Sequence, residues 1–210
     1  MATTAHTYVS LEAGDHLSRE EFHRRYCLRP DIKKAELING VVYVPSPVRI
    51  RYHGRQHGLV TTWLGYYSSL VPDVELVPET TVYLDDGTEV QPDAFLWRPE
   101  ADSGHETPDG YFEGAPQLIV EVAASSASYD LHEKREAYRR NGVAEYVVWR
   151  VLDNAIDWFS LVNGEYVAVE PDGEGIIESA QFPGLRLHVP SMLAGDLRAV
   201  LARVTLAVEG

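Results

Sequence analysis

Apolar residues recur along the chain with two different periods, and each period predicts one class of secondary structure. A period of three or four residues predicts a long amphipathic helix from about residue 52 to residue 70. Ser18 begins a capping-box pattern, which predicts a shorter helix that ends near Leu28. Two further helices are predicted, one from Ser128 or Asp130 through Asn141 and one over residues 190–208.

Shorter apolar runs bounded by Gly, Pro, Asn and Asp predict strands. Residues 35–44 contain two such runs around Asn39-Gly40, the dipeptide typical of a tight β-hairpin turn. The run QLIVEVA at 117–123 is almost continuously apolar and predicts a central buried strand. Residues 99–116 are rich in Pro, Gly, Asp and Glu and are expected to form a loop. The other predicted strands are 74–77, 80–84, 94–97, 145–151, 155–161 and 165–169.

This order of elements predicts a mixed α/β or α+β domain around one sheet flanked by helices. The 210 residues contain no internal repeat and no long polar linker, so a single domain over residues 1–210 is expected. No apolar run approaches the roughly 20 residues that a membrane-spanning helix needs. The first ten residues lack the pattern of a signal peptide. These observations predict a cytoplasmic protein that does not contact membranes.

The charge of the chain is strongly negative but unevenly distributed. A net charge of −14 argues against a protein that coats nucleic acid. Residues 1–70 nevertheless hold nine Lys and Arg against six Asp and Glu, a net of +3, whereas the remaining residues hold nine against twenty-six, a net of −17. Much of the early positive charge lies in one segment that contains Arg49, Arg51, His53 and Arg55. These residues are candidate contacts to a phosphate backbone, and the alternative is a solvated face.

The chain has one cysteine, Cys27, which excludes an internal disulfide framework and any metal site made of several cysteines. Since Cys27 follows an aromatic-rich helical segment, it is expected to be a buried small apolar residue.

Two carboxylates are the first candidates for chemistry. Glu121 interrupts the apolar run of the predicted central strand, and a charged group there needs a partner or a metal ion. Asp93 follows Pro92 and leads directly into the apolar strand AFLW. Pro-Asp alone carries no weight, because the chain has five such dipeptides and both residues favour turns. If the two strands are neighbours, Asp93 and Glu121 could together hold Mg²⁺ or Mn²⁺, which prefer oxygen ligands. The alternative is that Glu121 pairs with an arginine or lies at an exposed strand end.

Lys134 is the candidate cation beside these carboxylates. Asp130, Lys134 and Tyr138 are spaced four residues apart, so they share one helix face. Lys134 could therefore lean toward Glu121 and orient a hydroxide or stabilise phosphate charge. The alternative is an exposed ion pair between Asp130 and Lys134.

Five sequence segments resemble the Uma2 family of endonucleases, within the PD-(D/E)xK nuclease superfamily. The resemblance extends over about residues 15–190 and is most specific in the last segment. The segments are SREEF at 18–22, AELINGVVYVPSP at 35–47, His53, VQPDAFLW at 90–97 and APQLIVEVAASSASYDLHEKREAYRRNGVAEYVVW at 115–149.

The resemblance implies a restriction-endonuclease-like core and a divalent-metal site. It makes Asp93 the aspartate of the PD motif and Glu121 the acid of (D/E)xK, with the Val122 backbone carbonyl as a further metal ligand and Glu36 as an additional acidic ligand. The lysine of E-x-K would stand at position 123, where this chain has Ala123. Families of this kind relocate the lysine to the following helix, which makes Lys134 the candidate.

Two functions follow from these expectations. The first is a metal-dependent endonuclease that hydrolyses phosphodiester bonds in DNA, with Asp93 and Glu121 holding the ion and Lys134 positioning the attacking water. The second is a catalytically inactive binding or regulatory module with the same fold. A homodimer is expected by analogy with nucleases that cut two strands. No phosphate-binding Gly-rich loop, nucleophile elbow or dinucleotide fingerprint supports another class of enzyme.

Overall fold

The computed structural model describes residues 9–44, 53–124 and 130–205, with the backbone alone at residues 130 and 131. The helices are α1 (Arg19–Cys27), α2 (Arg55–Leu70), α3 (Arg135–Arg140), α4 (Val189–Ala194) and α5 (Leu197–Leu201), and a π-helical turn (Asp130–Lys134) precedes α3. The first eight strands are β1 (Glu36–Ile38), β2 (Val41–Tyr43), β3 (Glu75–Pro78), β4 (Val82–Asp85), β5 (Thr88–Val90), β6 (Ala94–Trp97), β7 (Gly104–Glu106) and β8 (Phe112–Gly114). The others are β9 (Leu118–Ala123), β10 (Glu145–Arg150), β11 (Ala155–Val162), β12 (Glu165–Ala168), β13 (Ile176–Glu178) and β14 (Arg186–His188).

Two six-stranded mixed sheets form the framework, together with the β13–β14 pair. The first sheet has the order β2-β1-β5-β4-β8-β7 and the second has the order β12-β11-β10-β9-β6-β3. The predicted class, a mixed α/β fold flanked by helices, is confirmed, but the prediction of one sheet is wrong. The chain leaves the first sheet after β5 and enters the second at β6 within only three residues, 91–93. Such a change of sheet leaves no trace in a hydrophobic period.

Local signals predicted the first helix and the hairpin correctly. The Ser18 hydroxyl accepts a hydrogen bond from the Glu21 amide at 3.3 Å, which caps the N-terminus of α1. Asn39 and Gly40 have φ values of 53° and 79°, and this left-handed pair is what a two-residue hairpin turn between β1 and β2 requires.

The central strand β9 lies between β10, which is parallel to it, and β6, which is antiparallel. Because side chains alternate along a strand, its two faces enter different cores. Val120 packs in the same core as Trp63 of α2. Ile119, on the other face, packs in the core that contains Val82 of the first sheet and Tyr138 of α3. The prediction of a central buried strand at 117–123 is therefore confirmed.

Two other sequence-based predictions are wrong. The expected loop over residues 99–116 contains β7 and β8, and the polar strand β7 forms one edge of the first sheet. The expected closing helix over 190–208 is two short helices, because Gly195 adopts a left-handed φ of 75° and Asp196 caps α5. Residues 206–208 lie outside the described residues.

Strands β5, β13 and β14 were not predicted. Among the residues that the structure describes, none belongs to a helix that is both long enough and apolar enough to cross a membrane.

Candidate active site between the two sheets

Strand pairing brings Asp93 and Glu121 to the same end of the second sheet. In the antiparallel pair β6–β9, Ala94 lies opposite Val120, so Asp93 immediately precedes one partner and Glu121 immediately follows the other. The alternation along both strands directs the two carboxylates toward the face where Phe95 and Ile119 pack, which the first sheet and α3 cover. A backbone contact joins the two positions, since the Val122 amide donates to Asp93 Oδ2 at 2.7 Å.

Glu121 is buried and holds two donors from the helical segment that follows it. Lys134 Nζ and the Tyr138 hydroxyl both donate to Glu121 Oε1, each at 2.8 Å. Residues 134 and 138 are one helical turn apart, so both side chains leave the same face. Lys134 is the last residue of the π-helical turn before α3, a distortion that is frequent at functional sites. The alternative of an exposed lysine is excluded, because only 2% of Lys134 is accessible.

Glu36 of β1 brings the first sheet into the same cluster. Its Oε1 lies 2.9 Å from Lys134 Nζ and accepts a hydrogen bond from the Gln91 amide at 2.8 Å. Burial alone would raise the pKa of Glu36, but the charges of Lys134 and Lys34 outweigh burial and lower it. Glu36 is therefore an ionised buried carboxylate that helps to hold Lys134.

Asp93 is held from its other side by the start of α2. His53 Nε2 lies 3.0 Å from Asp93 Oδ1, and His57 Nε2 lies 3.0 Å from the Asp93 backbone carbonyl. The two imidazole rings stack at 5.7 Å. Burial raises the pKa of Asp93, but the hydrogen bond with His53 and the charge of Lys34 outweigh it and bring the pKa to about 2. The same hydrogen bond raises the pKa of His53.

The structure places the remaining predicted residues as follows. Ala123 is fully buried in the same core as Ile119. The position where the E-x-K motif carries its lysine is therefore filled by a small core side chain. Arg55 is exposed at the first residue of α2, and its guanidinium approaches Gly195. Arg49 and Arg51 lie outside the described residues. The phosphate contacts assigned to the arginines and to His53, and the metal contact of the Val122 carbonyl, therefore stay predictions.

The donor set fits a divalent cation in its chemistry. Asp93, Glu121 and Glu36 offer carboxylate oxygens, the ligands that Mg²⁺ and Mn²⁺ prefer. Within the described residues, no three His, Cys, Asp or Glu side chains are grouped so that they could hold a metal ion by themselves. An ion at this position would accordingly need the two carboxylates Asp93 and Glu121 together with a backbone carbonyl and water.

Comparisons with known proteins decide the family. A family model described as "Uma2: Putative restriction endonuclease" matches residues 19–190. The chain belongs to the Uma2 family. The Uma2 match contains every residue of the cluster described above. None of the curated proteins compared with the chain matches it.

A solved structure shows the same fold as this Uma2 chain. It is described as the crystal structure of a putative nuclease belonging to DUF820 from Anabaena variabilis ATCC 29413. The TM-score is 0.60 at 12% sequence identity, with 77% of this chain and 90% of that chain covered. The restriction-endonuclease-like fold expected from the sequence is thereby confirmed.

Three residues of the Uma2 cluster were not assigned a role from the sequence. Tyr138 carried a usable signal, since it follows Lys134 by four residues. His57 carried a similar signal, since it follows His53 by four residues. Lys34 carried none, because it reaches the site only through the fold, where its Nζ donates to the Gln91 carbonyl at 2.7 Å.

Proposed function

We propose that this Uma2 protein is a divalent-metal-dependent endonuclease that hydrolyses phosphodiester bonds in DNA. The observation that carries the proposal is the contact chain that joins Asp93, Glu121 and Lys134. Asp93 binds the backbone next to Glu121, and Glu121 binds Lys134. Chance surface placement does not explain this arrangement, since all three residues are at most 4% exposed. Buried charged groups with perturbed pKa values cluster at functional sites.

In the proposed reaction, Asp93 and Glu121 hold Mg²⁺ or Mn²⁺, with the Val122 carbonyl as the backbone ligand. When bound, such an ion lowers the pKa of a water molecule and polarises the phosphoryl oxygen. Lys134, fixed by Glu121 and Glu36, orients the water that attacks the phosphorus. Tyr138 fixes the rotamer of Glu121 through its hydroxyl. His53 holds the Asp93 carboxylate in place through its ring nitrogen.

One observation favours the second function, a non-catalytic binding or regulatory module. In the described structure, the carboxylates of Asp93, Glu121 and Glu36 already accept hydrogen bonds from protein donors. Such a satisfied network can serve stability alone. The two functions can be distinguished by variants that remove the charge of one carboxylate without changing the shape of its side chain.

The decisive experiment is cleavage of supercoiled and linear DNA in the presence of Mg²⁺ or Mn²⁺. Asp93→Asn and Glu121→Gln are expected to lower the rate by at least about 100-fold, the usual effect of removing a group that stabilises transition-state charge. Asp109→Asn and Glu106→Gln are the matched controls, since both residues are exposed. Cleavage by the site variants at the wild-type rate, or no cleavage by the wild type with either ion, would contradict the proposal.

Metal binding provides an independent readout. Mg²⁺ or Mn²⁺ should raise the thermal midpoint of the wild type in proportion to RT ln(1 + [L]/Kd), and Asp93→Asn should abolish the increase. Asp109→Asn should keep it. An equal increase in all three proteins would place the ion elsewhere.

A further inference from the structure

Lys34 lies at the edge of the candidate site and shares one neighbour with Glu36. Its Nζ donates to the Gln91 carbonyl at 2.7 Å, while Glu36 accepts from the Gln91 amide at 2.8 Å. Gln91 is only two residues before Asp93. Lys34 and Glu36 therefore bind the backbone carbonyl and the backbone amide of the same residue, just before the chain enters the site.

The charge of Lys34 acts on two of the site carboxylates. It helps to lower the pKa of Glu36 and of Asp93 against the opposing effect of burial. This effect agrees with the geometry, since Lys34 and Glu36 both contact Gln91, which lies two residues before Asp93.

The two lysines of the site differ in how their charges are used. Lys134 is buried and forms ion pairs of 2.8 and 2.9 Å with Glu121 and Glu36. Lys34 is half-buried, and over the described residues its ammonium has no ion pair within 4.0 Å. The hydrogen bond of Lys34 to a neutral carbonyl uses one of the three donors of an ammonium. A ligand can therefore reach Lys34 without breaking an ion pair, whereas Lys134 would have to give one up.

The net charge of the site also favours a role for Lys34 in binding a ligand. The carboxylates of Asp93, Glu121 and Glu36 carry three negative charges, and Lys34 and Lys134 carry two positive charges, which leaves −1 when His53 is neutral. A divalent cation makes this +1, and one bound phosphodiester brings the total to zero. Without Lys34, the metal-loaded site would be neutral before substrate binds, and the bound phosphodiester would leave it at −1, so the electrostatic attraction of the site for its substrate would be lost.

We propose that Lys34 is the phosphate-binding residue of this site and contacts a non-bridging oxygen of the DNA backbone beside Asp93. Lys134, in contrast, orients water and does not bind phosphate. This assignment rests on the proposed nuclease function for its substrate, but it concerns binding, which can be measured without cleavage.

The test compares Lys34→Met with Lys33→Met, because Lys33 is the adjacent lysine and is exposed. Binding of a fluorescently labelled DNA duplex is measured by anisotropy against salt concentration, with Ca²⁺ in place of Mg²⁺ so that substrate is retained. Loss of one phosphate contact should reduce the slope of log K against log salt by about 0.9, which corresponds to an affinity about eightfold lower at 0.1 M salt. Lys34→Arg should keep the wild-type slope, and Lys33→Met should change neither slope nor affinity.

Three outcomes separate this inference from the proposed function. If the wild type cleaves DNA and Lys34→Met has the slope and affinity of Lys33→Met, the phosphate assignment is wrong while the nuclease function stands. If the slope depends on Lys34 but no protein cleaves, the assignment stands and the catalytic function is wrong. If the wild type neither binds nor cleaves, both are wrong. Lys34→Gln is measured in parallel, and thermal unfolding of each variant verifies that a loss of affinity is not a loss of fold.

Discussion

Lys134 Nζ lies 2.8 Å from Glu121 Oε1, and this contact joins a helix to the central strand of the second sheet. The same ammonium lies 2.9 Å from Glu36 of the first sheet. One cation thus satisfies two buried carboxylates that come from different sheets. Since a buried charge without a partner is costly, the loss of any one of these three groups should destabilise the fold, whatever its role in chemistry.

Replacing Lys134 with methionine should lower the free energy of unfolding by about 3–5 kcal/mol, because it leaves two carboxylates buried without their cation. Urea denaturation followed by circular dichroism measures this change. Lys33→Met is the control, since an exposed lysine should change stability by about 0.5 kcal/mol or less. Equal stability of the two variants would mean that Lys134 is not required to neutralise the cluster.

Tyr138→Phe should lower the free energy of unfolding by about 1.5–3 kcal/mol, the usual range for a hydrogen bond to a charged group. The ring contact with Tyr146, at 4.9 Å between centroids, is compatible with phenylalanine, so the hydroxyl alone is tested. Because Lys134 and Tyr138 share Glu121 Oε1, the double variant with Lys134→Met should deviate from additivity by at least about 0.5 kcal/mol. Tyr66→Phe, at an exposed position, is the matched control. Strict additivity would argue against a shared network.

The contact between Glu121 and Lys134 could be predicted from the sequence because a local pattern marks each of the two residues. Glu121 is the only charged residue in an apolar run, and the spacing of Lys134 and Tyr138 places them on one helix face. The pairing of Asp93 with this cluster needed one further assumption, that the two strands are neighbours, which β6 and β9 fulfil.

The contacts of Lys34 and Glu36 were not accessible in the same way. They depend on the chain passing from the first sheet to the second at residues 91–93, a tertiary event that no local period encodes. The strands β7 and β8 were missed for a related reason. Gly104 packs so closely against Phe112 that a side chain at position 104 would collide with the ring. Only the fold shows that this glycine allows β7 and β8 to pair.

The Asp93–His53 pair should give the protein a defined pH dependence. The folded-state pKa of Asp93, about 2, lies below its ordinary value near 3.9, so its contribution is present above about pH 4 and is lost as the pH falls toward 2. The pKa of His53 is raised above about 6.5, so its contribution is complete below that value and is lost as the pH rises through the raised pKa.

His53→Gln should therefore be most destabilising, relative to the wild type, between about pH 4 and pH 6.5. Urea titrations at a series of pH values measure the difference. His105→Gln is the control, since the His105 side chain is 68% exposed. A difference between wild type and His53→Gln that does not vary with pH would show that the two groups do not titrate as a pair.

Cys27 was expected to be buried, and this expectation is wrong, because the residue is exposed at the end of α1. A thiol reagent such as Ellman's reagent should therefore react with one thiol per chain in the native protein, without denaturant. Cys27→Ser should give no reaction, since the chain has no other cysteine. A reaction that begins only after unfolding would contradict the exposed position.

The rate of that reaction should depend on His23. Its Nε2 lies 3.4 Å from the Cys27 sulfur, and its Nδ1 lies 3.0 Å from the buried carboxylate of Glu89. Since the thiolate is the reactive form of a cysteine, an imidazole nitrogen within reach of the sulfur can promote its reaction. His23→Gln should therefore slow modification at neutral pH, whereas His105→Gln, at an exposed position in β7, should not. Equal rates in these two variants would show that the imidazole contacts the sulfur without activating it.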